Sequence, residues 1–171
     1  STRVEVIYNG YDPDDYKNIV KIPRKNNKKY EIVYTGTIYR KFQDPAPLFR
    51  AVGELAVEKK LSPDNLHITF AGHKSADLSD MAKAYGINDY FTYAGFLPRD
   101  EALALQYNAD ACLFLEYNNP SVKGVLTGKL FEYLYIANYI LAIGVDENSE
   151  SGALIKKTNS GICFGNDINK I

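Results

Sequence analysis

Lys129 and Glu132 stand three residues apart behind a glycine, in the stretch GVLTGKLFEYL (124–134). A glycine followed shortly by Gly-Lys suggests the phosphate loop of nucleotide hydrolases. That loop needs four residues before its Gly-Lys and a hydroxyl after it, to wrap phosphates and reach magnesium. Here the spacing is one residue short, and Leu130 occupies the hydroxyl position. The same residues make a good helix start. Thr127 is a candidate N-cap, and Leu130, Phe131, Leu134 and Tyr135 form an apolar face. Unpaired N–H groups at a helix N-terminus hold phosphate oxygens, and Gly128 would let a ligand approach the backbone. Lys129 adds positive charge there. Glu132, one turn on, is placed to reach a pair of ribose hydroxyls, as acidic residues do in dinucleotide folds. An anion-binding helix end followed by a hydroxyl-binding carboxylate suits a nucleoside diphosphate. The simpler alternative, a plain helix start with Lys129 and Glu132 solvated, leaves those two residues without a task.

The elements that must position this pair follow from periodicity. Short β-branched or aromatic runs recur at VEVIY (4–8), YEIVYTG (30–36), LHITFAG (66–72), DYFTYAG (89–95), DACLFL (110–115), YILAIG (139–144) and GICFG (161–165). Most end in glycine or a polar turn, as strands buried on both faces of a parallel sheet do. Helical patterns fill the gaps at 47–60, 75–86, 99–109, 128–137 and 147–159. Leu48, Val52, Leu55 and Ala56 make the stripe of the first, and Ser75 is a candidate cap for the second. Strands alternating with helices predict an α/β fold: one Rossmann-like parallel sheet with helices on both faces. The polar, turn-rich segment 9–30 is expected to be a surface connector. Ligands of such folds bind beyond the carboxyl ends of the strands. The candidate residues are therefore those after each strand: 36–41, 72–74, 95–98 and 116–129.

Bulk properties narrow the function. The 171 residues suffice for one well-buried domain and are short for two. A net charge of −1 offers no electrostatic case for nucleic acid or an anionic membrane surface. No apolar run approaches the roughly 20 residues of a transmembrane helix, and there is no signal-peptide core. Cys112 and Cys163 lie in apolar runs, which suggests two buried thiols in a reducing, cytoplasmic compartment. Neither histidine is at ligand spacing from them, so no metal site or cofactor is expected. The chain opens Ser-Thr-Arg-Val and stops soon after a polar segment, which suggests a piece excised from a longer protein.

Taken in order, these segments resemble the nucleotide-sugar-binding domain of GT-B glycosyltransferases, particularly the large retaining group called family 4. VIYNGYD (6–12) resembles the entry to the C-terminal domain, and IVYTGTIYRKFQDPAPLFRA (32–51) its first strand, phosphate loop and helix. FTYAGFLPRDEALALQYNADACLFL (91–115) and GVLTGKLFEYLYIANYILAIGVDENSESGALIKKTNSGICF (124–164) complete the set. The likeness spans nearly the whole chain. It implies a single C-terminal donor-binding domain over 1–171, whose N-terminal acceptor-binding partner is missing. The whole enzyme would be a hexosyltransferase-type glycosyltransferase, passing a sugar from a UDP- or GDP-linked donor to a glycan or lipid-linked acceptor in cell-surface polysaccharide synthesis. Any contact with the inner membrane would belong to the absent half.

The resemblance also implies roles. Gly36 and Thr37 form the turn near the distal phosphate, and Arg40 or Lys41 neutralises the diphosphate in place of a metal. Phe96 and Leu97 back the nucleobase. Thr127 and Gly128 open the helix, Lys129 and Leu130 offer backbone N–H groups to phosphate, and Glu132 takes the ribose. The family's second acid, seven residues before Glu132, is replaced by Gly124. Glu116 is the nearest substitute, and the stereochemical outcome stays open; no catalytic residue is assigned. The scheme requires Arg40 or Lys41, the helix end at Gly128 and Glu132 to line one groove. Plainer alternatives are a solvated Arg40 and Lys41, a core Phe96, a merely polar strand-end Glu116, an exposed His73, and a turn cap at Asp14-Asp15. Rival functions are a GT-B sugar-nucleotide epimerase, a flavodoxin- or response-regulator-like domain, and a non-catalytic Rossmann-like binding module.

Overall fold

The computed structural model describes residues 3–5, 7–22, 29–73, 77–119, 125–165, 167 and 171. Among these residues, six parallel strands form one sheet: β1 (Tyr30–Thr35), β2 (Leu66–Ala71), β3 (Phe91–Gly95), β4 (Ala111–Leu115), β5 (Tyr139–Ile143) and β6 (Gly161–Cys163). Five helices connect them: α1 (Ala46–Val57), α2 (Leu78–Ala84), α3 (Arg99–Tyr107), α4 (Gly128–Ile136) and α5 (Glu150–Thr158). The strand order is β3-β2-β1-β4-β5-β6. The chain therefore winds outward from β1 in one direction, crosses back along α3, and winds outward from β4 in the other.

Alternating side chains divide the core between the two faces. Ile32, Tyr34, Leu113 and Leu115 pack with Leu48, Phe49 and Val52 of α1 and Leu78 and Ala82 of α2. Cys112, Phe114, Ile140 and Ala142 pack with Leu103 of α3, Leu130, Tyr133 and Ile136 of α4, and Ile155 of α5. At the point of reversal the ladder is short. β1 and β4 pair only at Ile32–Ala111 and Val33–Cys112, whereas β1 and β2 pair along six positions. The Glu31 N–H donates to an Asp110 carboxylate oxygen (2.7 Å), and the Asp110 N–H donates to the Glu31 carbonyl (2.9 Å), which fastens the lower end of this seam.

The predicted helices form within a few residues of their expected limits. α1 buries Leu48, Phe49, Ala51 and Val52, so its apolar stripe is rotated slightly from the expected one. α5 begins at Glu150 because Ser149 caps it, its Oγ accepting from the Gly152 N–H at 3.1 Å. Ser75, the expected cap of α2, lies outside the described residues, and α2 opens after Asp77. Two expectations are corrected. Residues 4, 5, 7 and 8 form no strand, and Val4, Ile7 and Tyr8 are exposed. A run of strand formers gains no ladder bonds where no neighbouring strand receives it. Cys163 is only half-buried, since it lies on the short edge strand β6.

The segment 9–22 is more than a loose connector. It runs as a strap over the α3/α4 face and is pinned along its length. The Asn9 side chain donates to the Leu126 carbonyl (3.0 Å), and the Ile22 N–H donates to Asn108 Oδ1 (2.7 Å). Tyr11 stacks on Tyr135 with ring centroids 4.2 Å apart. A 3-10 turn at Pro13–Tyr16, capped by Asp12, buries Tyr16 against Tyr107 and Tyr135.

Candidate functional site

The upper rim of the sheet is shaped by two glycines. Gly36 ends β1 at φ +116, a conformation that side chains other than hydrogen rarely accept. Gly72 ends β2, and a Cβ placed on it would stand 2.1 Å from the Gly36 carbonyl oxygen. The two backbones touch, and the groove above them opens toward α3 and α4. It holds about 330 Å³, within the range of small-molecule sites. Gly36, Thr37, Gly72, Phe96, Leu97, Arg99, Gln106, Lys129 and Glu132 contribute to its walls.

Lys129 is the dividing wall. Its Nζ lies 3.8 Å from the centre of the Tyr34 ring, and a Cβ on Gly36 would stand 2.9 Å from it. A second compartment of about 680 Å³ begins on its other side, bounded by Tyr34, Tyr39, Gln43, Tyr117 and Thr127. Burial lowers the Lys129 pKa to about 8, against the opposing pull of Glu132. No carboxylate stands within ion-pair distance of the ammonium among the described residues. A cation held at the sheet rim by an aromatic ring and packing, with no ion-pair partner among the described residues, is suited to receive an anion.

Glu132 faces the first compartment from one turn inside α4. One of its carboxylate oxygens accepts from Arg99 Nη2 at 3.3 Å, and the same guanidinium nitrogen donates to Asp15 Oδ2. Gln106, two turns below Arg99 on α3, is 3% exposed at the groove floor. Its Nε2 donates to Thr35 Oγ1 at 2.5 Å, and its Oε1 has no partner. Arg99 and Gln106 were not anticipated. Their seven-residue spacing, which places both on one helical face, was the available signal.

The expected residues separate into three groups. Gly36, Thr37, Phe96, Leu97, Lys129 and Glu132 share the groove. Phe96 is exposed rather than core, its ring 4.9 Å from that of exposed His73. Thr127 faces the second compartment; it holds the N-cap position of α4 without capping, and its Oγ1 is buried with no partner. Gly128 is half-buried beside it. Leu130 is core, with no exposed surface, and its N–H donates to the Thr127 carbonyl (3.1 Å), so the expectation that it is offered to phosphate is not met: the first turn closes on itself.

Arg40, Lys41 and Glu116 lie apart from these, in a third pocket with Asp44, Asn118 and Gly144. The expectation that Arg40 or Lys41 lines the groove with Glu132 is not met. Arg40 donates to Asp77 (2.7 Å) and Asp44 (3.1 Å), which neutralise its guanidinium and turn it away. Lys41 leans over the Phe42 ring. Burial raises the Glu116 pKa, partly offset by hydrogen bonds from Ser151 and the Tyr117 N–H. Among the described residues, the lysine and arginine that line the groove are Lys129 and Arg99, and Arg99 is ion-paired with Asp15 and Glu132. Gly124, where the resemblance locates a missing acid, and Lys74 lie outside the described residues. No cluster of metal-ligating side chains occurs among the described residues, nor any helix long and apolar enough to cross a membrane.

No protein-family model matches the chain, and no curated protein matches it by sequence. Solved structures do match. WaaG, a glycosyltransferase involved in lipopolysaccharide biosynthesis, superimposes with a TM-score of 0.66 at 15% identity, over 95% of this chain and 44% of that one. The apo lipopolysaccharide outer core galactosyltransferase WaaB gives 0.54 at 16% identity, over 81% of this chain and 36% of its own. The sucrose-phosphate synthase of Thermosynechococcus elongatus gives 0.55 at 13%, over 94% and 38%. The chain spans less than half the length of each.

Proposed function

We propose that this chain, which has the fold of a GT-B glycosyltransferase domain, is the donor-binding domain of a glycosyltransferase. The donor is a nucleoside diphosphate sugar, UDP- or GDP-linked. The observation that carries this is the juxtaposition, in one groove at the reversal point between β1 and β4, of Lys129, which has no ion-pair partner among the described residues, and the Glu132 carboxylate. The diphosphate lies against Lys129 and the first turn of α4, the ribose meets Glu132, and the base rests on the Phe96-Leu97 loop. The sugar then extends past Lys129 toward Tyr39, Tyr117 and Thr127 in the second compartment.

Chemistry at such a site is stabilisation of the departing diphosphate. Charge that develops on the leaving oxygen as the sugar's C1–O bond breaks is met by the Lys129 ammonium and by the positive end of the α4 dipole. No metal is needed for that role. The acceptor, a glycan or lipid-linked saccharide of the cell surface, would be held by a further domain, so this chain binds donor without transferring its sugar. Glycosyltransferases of lipopolysaccharide synthesis among the structural neighbours support that acceptor class.

Calorimetric titration with UDP, GDP and ADP tests the assignment. Glu132→Ala should weaken the preferred diphosphate by about 10- to 100-fold, the worth of one or two hydrogen bonds to a charged group. Unchanged affinity in that variant, or no binding of any of the three at millimolar concentration, would remove the nucleotide assignment.

A further inference from the structure

Arg99 and Asp15 have no part in the scheme above, yet both connect to its central carboxylate. The strap brings Asp15 over α3 in the turn that buries Tyr16, next to the first residue of that helix. Arg99 Nη2 donates both to Asp15 and to Glu132 Oε1, so one guanidinium holds carboxylates from the strap and from α4. Glu132 is largely shielded, its side chain 19% exposed, and Arg99 is its only ion-pair partner among the described residues. A carboxylate on a flexible side chain discriminates hydroxyls only if its rotamer is fixed, and a guanidinium nitrogen anchored on a second acid fixes it.

We propose that Arg99 is a positioning residue, held by Asp15 of the strap, which orients the Glu132 carboxylate toward the two ribose hydroxyls. The inference rests on the nucleotide assignment of the groove. Glu132 accepts from Arg99 with one oxygen and keeps the other for the ribose. Asp15 in turn prevents the guanidinium from swinging into the groove to meet the diphosphate. Recognition of ribose thereby depends on a segment that precedes the sheet and touches no ligand.

The test measures ribose discrimination rather than affinity alone. UDP and GDP are titrated into the 171-residue chain, and the tighter binder is compared with its 2′-deoxy counterpart. The wild-type chain should favour the ribonucleotide by about tenfold or more. Arg99→Ala and Asp15→Asn should each bring that ratio to about twofold or less, with melting temperatures showing both variants folded. Should Arg99→Ala fold poorly, Asp15→Asn gives the same reading, since it removes only a charge. If the wild type discriminates, Glu132→Gln abolishes discrimination, and Asp15→Asn or Arg99→Ala retains it, the positioning role is overturned while the groove assignment survives. Equal wild-type affinity for both sugars overturns the positioning role too, and absence of any nucleotide binding overturns both.

Discussion

A Lys129→Met chain should melt above the wild type near neutral pH and lose about 100-fold in affinity for nucleoside diphosphates. Both effects have one cause. The ammonium is held at the sheet rim by Tyr34 and by packing against Gly36, without a carboxylate of its own, and its pKa falls to about 8. The free amine has a pKa near 10.5 in the unfolded chain, so folding at pH 7 carries a cost of about 2–3 kcal/mol for keeping the charge. The ring contact already contributes to that balance. Methionine retains the stem without the charge, and a net gain of about 1–2 kcal/mol corresponds to roughly 2–6 °C in a domain of this size. The sign with pH is specific. The folded chain binds fewer protons than the unfolded chain between about pH 8 and 10.5, so wild-type stability should rise relative to the variant across that interval. The gap between the two melting temperatures therefore closes as pH increases. A gap that stays constant from pH 7 to 10, or nucleotide affinity that survives the substitution, would show that the ammonium is an ordinary solvated charge.

Gly72→Ala should be the most damaging single methyl that the groove can receive. Its Cβ would stand 2.1 Å from the Gly36 carbonyl oxygen, a backbone atom that cannot swing aside. Gly72 is also tied on its other sides: its N–H donates to the Gly95 carbonyl (2.8 Å), and its own carbonyl accepts from the Tyr93 hydroxyl (2.7 Å). Relief therefore requires the ends of β1, β2 and β3 to part together. A loss of about 3–5 kcal/mol is expected, read by urea unfolding, together with loss of nucleotide binding in whatever fraction stays folded. Gly86→Ala is the control. That glycine has a positive φ (+69) but open space around its Cβ, so it should cost only the strain of its backbone, about 1–2 kcal/mol, and leave binding intact.

The contrast between what could and could not be anticipated follows the range of the interactions. Six of seven strand runs and all five helices were legible because period, caps and glycine stops are local signals. The described residues of VEVIY form no strand because a strand is defined by its partner, which no local pattern supplies. The cations divide in the same way. Arg40 and Lys41 follow a strand end and so looked suitable, but Arg40's charge is taken by Asp77, which is distant in sequence and brought near by α2. Lys129 could be named from the helix start alone. Its isolation from acids, which gives it force, emerges only when α4 lies across Tyr34 and Gly36. Asp15 looked like a turn residue and is one; that the turn sits over Arg99 depends on the strap being stapled by Tyr11 and Tyr16.

The two-rung ladder between β1 and β4 bears on how the molecule assembles. β1 through β3 and β4 through β6 are each built from sequential parallel crossovers whose contacts are close in the chain. The seam that joins them pairs residues far apart, so the entropy of closing that long loop is repaid by few ladder bonds at the joint itself. Because the groove straddles the place where the two halves meet, with Gly36 from one half and Lys129 and Glu132 from the other, a bound ligand acts as a rivet across this short seam. Its effect would be felt in the rate at which the folded molecule comes apart.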